Sequence, residues 1–182
     1  TAGDVGAETV SYTLDTAELA AGRIASAGEG TDLVACGRTA AGHDTRIMRV
    51  DGSAVAGANE VGEIWVSGPS VALGYWNNSE ATRQAFVERD GARWLRTGDI
   101  GFMRDGALVV AGRLKDLLIV RGQNVYPTDV EQAIEAEVEA VRSGRVAAFA
   151  VEIDGREAIG VAAEFSRAVL KRSDPEALAH TI

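Results

Sequence analysis

One cysteine and two histidines narrow the chemistry open to this chain before any motif is considered. Cys36 has no partner for an internal disulfide, which points to a reducing compartment and a cytoplasmic location. It sits in the apolar, small-residue run Leu33-Val34-Ala35-Cys36-Gly37, where inert packing is the expected role. His43 and His180 lie far apart, and no His-rich or Cys-rich cluster has metal-ligand spacing. No run approaches the ~20 apolar residues that span a bilayer, so no transmembrane segment is expected. Thr1 to Ala7 are neither basic nor followed by a long apolar stretch, so no secretory signal is expected. There is no Walker-type G-x-x-x-x-G-K-[ST], no defensible Ser/His/Asp order, no internal repeat and no low-complexity tract.

What is present is the balance of a soluble globular protein: 46% apolar and 25% charged residues over 182 positions. That length suits one ordinary domain or two small ones. The net charge of −9, concentrated in the first thirty residues and after Val120, repels phosphate backbones, so nucleic acid is not an expected partner. The acidity does not exclude ATP, because a pocket can recruit phosphate with a few local donors.

Patterning divides the chain. Asp15 to Gly22 reads as a short helix ending at Gly22, within an otherwise weakly patterned first thirty residues. From Leu33 short strands take over: Thr45–Val50 running into the turn Asp51-Gly52, then Val61–Gly68. Asn77-Asn78-Ser79 matches a glycosylation triplet but reads as a turn and helix start. Ser79 to Asp90 reads as a helix from the spacing of Ala81, Ala85 and Phe86. Ile100–Met103 and Ala107–Ala111, joined by Asp105-Gly106, read as a hairpin. After Gly112 come an apolar run at Leu117–Val120 and a helix over Thr128–Ala140. Thr128 and Glu131 form the expected capping box of that helix, and Val130, Ile134 and Val138 its apolar stripe. Strands at Arg145–Ile153 and Ala158–Phe165 follow, joined through Asp154-Gly155, with a last helix at Asp174–His180. The fold class is α+β: a small, mostly antiparallel β module followed by a small α+β domain. The domains are expected at 1–113 and 114–182, with a short hinge that permits rotation.

Three segments carry chemistry-bearing residues: Trp94-Leu95-Arg96-Thr97-Gly98-Asp99, Gly112-Arg113-Leu114-Lys115-Asp116, and Arg121 to Pro127. Singly, each is ambiguous. Thr-Gly-Asp is a common turn, Gly-Arg-x-Lys-Asp can be a strand end with solvated charges, and Gly122 can be a turn glycine.

In order, the segments say more. Gly62-Glu63-Ile64-Trp65-Val66-Ser67-Gly68, Gly74-Tyr75-Trp76, Thr97-Gly98-Asp99, Gly112 to Asp116 and Gly122 to Glu131 form a series. It resembles the carboxy-terminal motifs of the adenylate-forming superfamily of acyl-CoA synthetases, non-ribosomal adenylation domains and luciferases. The resemblance covers roughly residues 33–165. The stretch Leu117 to Glu131, with its Tyr126-Pro127-Thr128-Asp129-Val130-Glu131 ending, looks most like the fatty-acyl-AMP ligases. Residues 11–32 would match the insertion those ligases carry.

The resemblance implies roles. Asp99 would hold the ribose hydroxyls of ATP, since a carboxylate can accept from both members of a vicinal diol. Arg113 would reach the same nucleotide with its fixed fork of donors. Lys115 matches the hinge on which the smaller domain pivots; an ordinary surface lysine is the competing reading. Gly122 would leave room for a phosphopantetheine arm. Trp94 is expected in the core or a pocket wall. The implied activity is ATP-dependent, with Mg²⁺ neutralising the phosphates, and passes a fatty acyl group through acyl-AMP to an acyl carrier protein or polyketide synthase.

Parts of that pattern are absent: the Gly-rich Ser/Thr phosphate loop, the large amino-terminal portion with the acyl tunnel, and the late lysine that contacts the adenylate. The missing amino-terminal portion is therefore an expected partner, and the chain alone is expected to be inactive. A fragment of an acyl-CoA ligase, and a non-catalytic module docking a carrier protein, are the alternatives.

Overall fold

The structure, a computed structural model, describes residues 8–120, 123–138, 140–153 and 156–165. The chain divides into two compact units, Thr1–Lys115 and Asp116–Ile182.

The first unit opens with β1 (Ser11–Leu14), α1 (Thr16–Ala20) and β2 (Thr31–Val34). Asp15 caps α1, its carboxylate accepting from the Glu18 amide at 2.9 Å. Two residues after α1, Gly22 takes a φ of 76°, so the helix is shorter than the expected Asp15–Gly22. β1 and β2 pair antiparallel across the helix, an arrangement that weak local patterning concealed. Leu14 and Leu19 are fully buried and anchor this segment.

The main sheet is built from β3 (Asp44–Met48), β4 (Gly62–Ser67), β5 (Phe86–Arg89), β6 (Ala92–Arg104) and β7 (Ala107–Arg113). All pairings are antiparallel, and β6 organises them. β4 lies along one edge of β6, while β5 and β7 occupy successive lengths of the other. Apolar residues alternate to the two faces as strand geometry demands. Met48, Trp65 and Trp94 cluster on one side, and Ile47, Ile64 and Leu108 form a second cluster. Trp94 is core, as expected. The Asp105-Gly106 turn joins β6 and β7 with φ of 52° and 77°, the positive-φ pair that tight hairpins prefer.

One expected helix is half strand. α2 spans only Ser79–Ala85, capped by the Asn78 side chain accepting from Ala81 N at 3.0 Å, and β5 begins at Phe86. Phe86-Val87-Glu88-Arg89 pairs with Ala92–Leu95 around the Asp90-Gly91 turn. Ladder hydrogen bonds and the packing of Val87 against the tryptophan cluster win over helical spacing.

The second unit contains β8 (Leu118–Val120) and β9 (Gln123–Val125), then α3 (Pro127–Glu137) and a long antiparallel pair, β10 (Val141–Ile153) and β11 (Arg156–Phe165). The stripe Val130, Ile134 and Val138 faces Ile159 and Val161 of β11 across a groove. The capping box is not formed. Pro127 occupies the first helical turn, Tyr126 is the N-cap, and no side chain caps it. Glu131 instead accepts from the Ala148 amide at 3.0 Å, tying α3 to β10. The expected connection at Asp154-Gly155 and helix at Asp174–His180 lie outside the described residues.

Candidate nucleotide site

Thr97-Gly98-Asp99 is not a terminal turn but a bulge inside β6. Trp65 of β4 stands opposite Arg96, and Glu63 stands opposite Ile100, so Ile64 alone faces three residues. Thr97 holds the bulge closed. Its hydroxyl donates to the Ile64 carbonyl at 2.8 Å and accepts from the Asp99 amide at 3.0 Å. Gly98 has φ 73° with nothing within 4 Å of where a Cβ would be, so backbone conformation, not space, requires glycine.

The bulge presents Asp99 directly opposite Arg113 at the end of β7. Arg113 Nε donates to Asp99 Oδ1 at 3.0 Å. The Leu114 amide donates to the Gly98 carbonyl at 2.8 Å, fixing the strand end against the bulge. Two residues from separate sequence segments thus meet at one place. Both side chains are open to solutes, at 35% exposure for Asp99 and 54% for Arg113. The pair offers an anionic acceptor beside a planar set of donors, a combination suited to a vicinal diol next to a phosphate.

No protein-family profile matches the chain. A medium-chain-fatty-acid–[acyl-carrier-protein] ligase, JamA of Moorena producens, is 40% identical over 146 residues, 78% of this chain and 25% of that protein. A solved structure from studies of the fatty acyl-adenylate ligases of E. coli and L. pneumophila matches with TM-score 0.73 and 30% identity, over 94% of this chain and 31% of that one. The chain belongs to the adenylate-forming ligases. ATP-bound MatB from Rhodopseudomonas palustris also matches, with TM-score 0.64 and 30% identity over 81% of this chain and 28% of that one. The chain spans about a quarter of the length of the curated relatives it matches.

Within this chain, the other expected site residues fall as follows. Lys115 is exposed, in the turn that follows β7, and is the last residue of the first unit. Gly122 lies outside the described residues. Among the described residues no group of three or more His, Cys, Asp or Glu could hold a metal ion. No helix among them is long and apolar enough to cross a membrane.

Cys36 is not packed inside. Its amide donates to the Leu108 carbonyl at 2.8 Å, so the segment runs along β7, and strand-like alternation turns the thiol outward. Tyr126, by contrast, is buried at the start of α3. Burial, reinforced by the charge of Asp129, pushes its hydroxyl up to about 12.

Sequence reasoning assigned no role to Glu63. It is the one buried charged residue among those described, at 2% exposure. One oxygen, Oε2, accepts from Trp65 Nε1 at 2.9 Å and from Arg96 Nε and Nη2 at 3.0 and 2.8 Å. The signal was available: a carboxylate in the otherwise apolar strand Glu63-Ile64-Trp65-Val66 needs buried donors.

Proposed function

We propose that this chain is the carboxy-terminal part of a fatty-acyl-AMP ligase and supplies the ribose side of its nucleotide site. The observation that carries the reading is the Asp99–Arg113 pair, held on a bulge and a strand end, exposed, and built from two of the motif segments. In the reaction a fatty carboxylate oxygen attacks the α-phosphorus of ATP. The bond to the bridging oxygen of the β-phosphate breaks, pyrophosphate leaves and acyl-AMP forms. Asp99 accepts hydrogen bonds from the ribose hydroxyls, and Arg113 donates to ribose or phosphate oxygens. Their contribution is to position the nucleotide and stabilise charge on it, which is most of what phosphate chemistry asks of a protein.

The acyl group then passes to the thiol of a carrier protein, with the second unit turning about Lys115 and the thiol arm passing Gly122. The carrier-protein acceptor is supported by the name of the JamA relative, and by the Tyr126 to Glu131 ending. Mg²⁺ and the phosphate-binding loop would come from the remaining portion of the ligase. The chain by itself forms no acyl-AMP, a reading supported by its spanning about a quarter of its relatives. A cytoplasmic location rests on the single cysteine.

The test is titration of the ¹⁵N-labelled chain with AMP and with 2′,3′-dideoxy-AMP. AMP should move the amides of Gly98, Asp99 and Arg113, and the dideoxy analogue should move them far less. Equal responses to both nucleotides would remove the ribose assignment.

A further inference from the structure

The geometry points to Glu63 as a positioning residue for the nucleotide site, acting as a strut across the bulge that presents Asp99. This inference rests on the ribose reading of Asp99 and Arg113 and assigns that site a further member.

The ladder places Glu63 opposite Ile100, yet its carboxylate reaches back to Arg96. Ile100 and Arg96 are the residues immediately flanking Thr97-Gly98-Asp99. The side-chain tie therefore spans the interval in which the backbone ladder is interrupted. Thr97 closes the same interval from the backbone side, through Ile64. The bulge is held twice: once by a hydroxyl bonded to main chain, and once by a charged clamp.

The clamp has the properties of a rigid part. Glu63 is almost wholly enclosed, so its rotamer is set by packing. Trp65 Nε1 donates to the same oxygen that receives Arg96, and the Arg96 guanidinium lies over the Trp65 ring at 5.5 Å. Arg96 bonds through two of its nitrogens, which limits rotation about its own axis. Arg96 can therefore neither slide along the strand nor turn without breaking charged hydrogen bonds in a poorly solvated place. Since Arg96 is joined to Asp99 by only two intervening residues, one of them a glycine at positive φ, fixing Arg96 limits where Asp99 can go. Glu63 does not itself touch the nucleotide in this reading. It determines how well Asp99 is aimed, and a misplacement of an ångström is enough to weaken a directed contact.

The experiment compares the whole chain with Glu63→Leu, Arg96→Gln and Ile47→Val. The first two break the clamp from its buried and its more accessible end, so that one of them folds even if the other does not. Ile47→Val loosens the other apolar cluster without touching the clamp. Two readouts are taken: the amide shifts of Gly98 and Asp99 in the free chain, and the AMP affinity read at Arg113. Both clamp variants should shift the Gly98 and Asp99 amides before any nucleotide is added. They should weaken AMP binding about tenfold, while Ile47→Val leaves affinity unchanged. Unmoved Gly98 and Asp99 amides would overturn the strut. So would moved amides with an affinity equal to that of the unaltered chain, or an equal loss in Ile47→Val. An unaltered chain blind to AMP would instead sink the ribose reading, and the positioning role with it.

Discussion

Arg113 stands directly across the sheet from Asp99 and donates Nε to its Oδ1 at 3.0 Å. They lie fourteen positions apart in the chain, and it is the β6–β7 hairpin that returns one to the other. The Asp105-Gly106 turn sets that return. The positions of the two charged groups follow from a local turn and a register, not from any attraction between them. An exposed ion pair is worth only about 0–1 kcal/mol, too little to organise a sheet.

Asp99→Asn should therefore separate binding from stability. The substitution removes the charged acceptor, so AMP affinity should fall about tenfold, the equivalent of one charged hydrogen bond. Unfolding free energy should change by less than about 1 kcal/mol, because the pair is open to water. Calorimetric titration and urea unfolding measure the two. A large stability loss with intact affinity would make the pair structural.

Gly98→Ala should be strained although space is available. An L residue at φ 73° costs about 1–2 kcal/mol, and nothing near the missing Cβ can relieve it. Relaxation of the backbone toward negative φ would carry Asp99 away from Arg113. Urea unfolding should register the loss, and the Asp99 amide resonance should move. Unchanged stability would mean the bulge tolerates another conformation.

Thr128→Ala and Glu131→Ala should differ. Had they formed a capping box, either change would weaken the start of α3 similarly. Glu131 accepts from Ala148 N, whereas no side chain caps α3. Glu131→Ala should cost about 1 kcal/mol and Thr128→Ala less than about 0.5 kcal/mol. Equal losses in denaturant titrations would restore the capping box.

Tyr126 should make the second unit sensitive to strong base. Its hydroxyl is raised to about 12 in the fold from an ordinary value near 10, so the folded state keeps the proton longer than the unfolded chain does. The associated stability is complete below pH ~10 and is lost as pH climbs toward about 12, an effect of about 2–3 kcal/mol. Unfolding followed at pH 9 and pH 12 should show it. Tyr126→Phe should abolish this part of the loss, and a variant that remains equally base-sensitive would refute the assignment.

Local features were legible wherever a few adjacent residues decide the backbone. Asp105-Gly106 announces a tight turn because both positions require positive φ, and Asn78 announces a helix start because its side chain can satisfy an orphan amide. Phe86 was misread for the complementary reason. The spacing of Ala81, Ala85 and Phe86 suits a helix, but residues 86–89 pair with 92–95, a contact that single-strand periodicity does not contain. Cys36 looked like core filler, and only its alignment along β7 reveals which way it points. The capping residues of α3 were likewise displaced by the neighbouring Pro127, whose preset φ starts the helix one residue early.

The amino-acid sequence by itself determined the class of the protein and the identity of its candidate ribose ligands, because the order of short motifs survives whatever the fold does with them. Tertiary structure alone decided that Asp99 and Arg113 meet and that Glu63 clamps the residue beside them. Those relationships depend on strand register and on a bulge, where a shift of one residue sends a side chain to the opposite face.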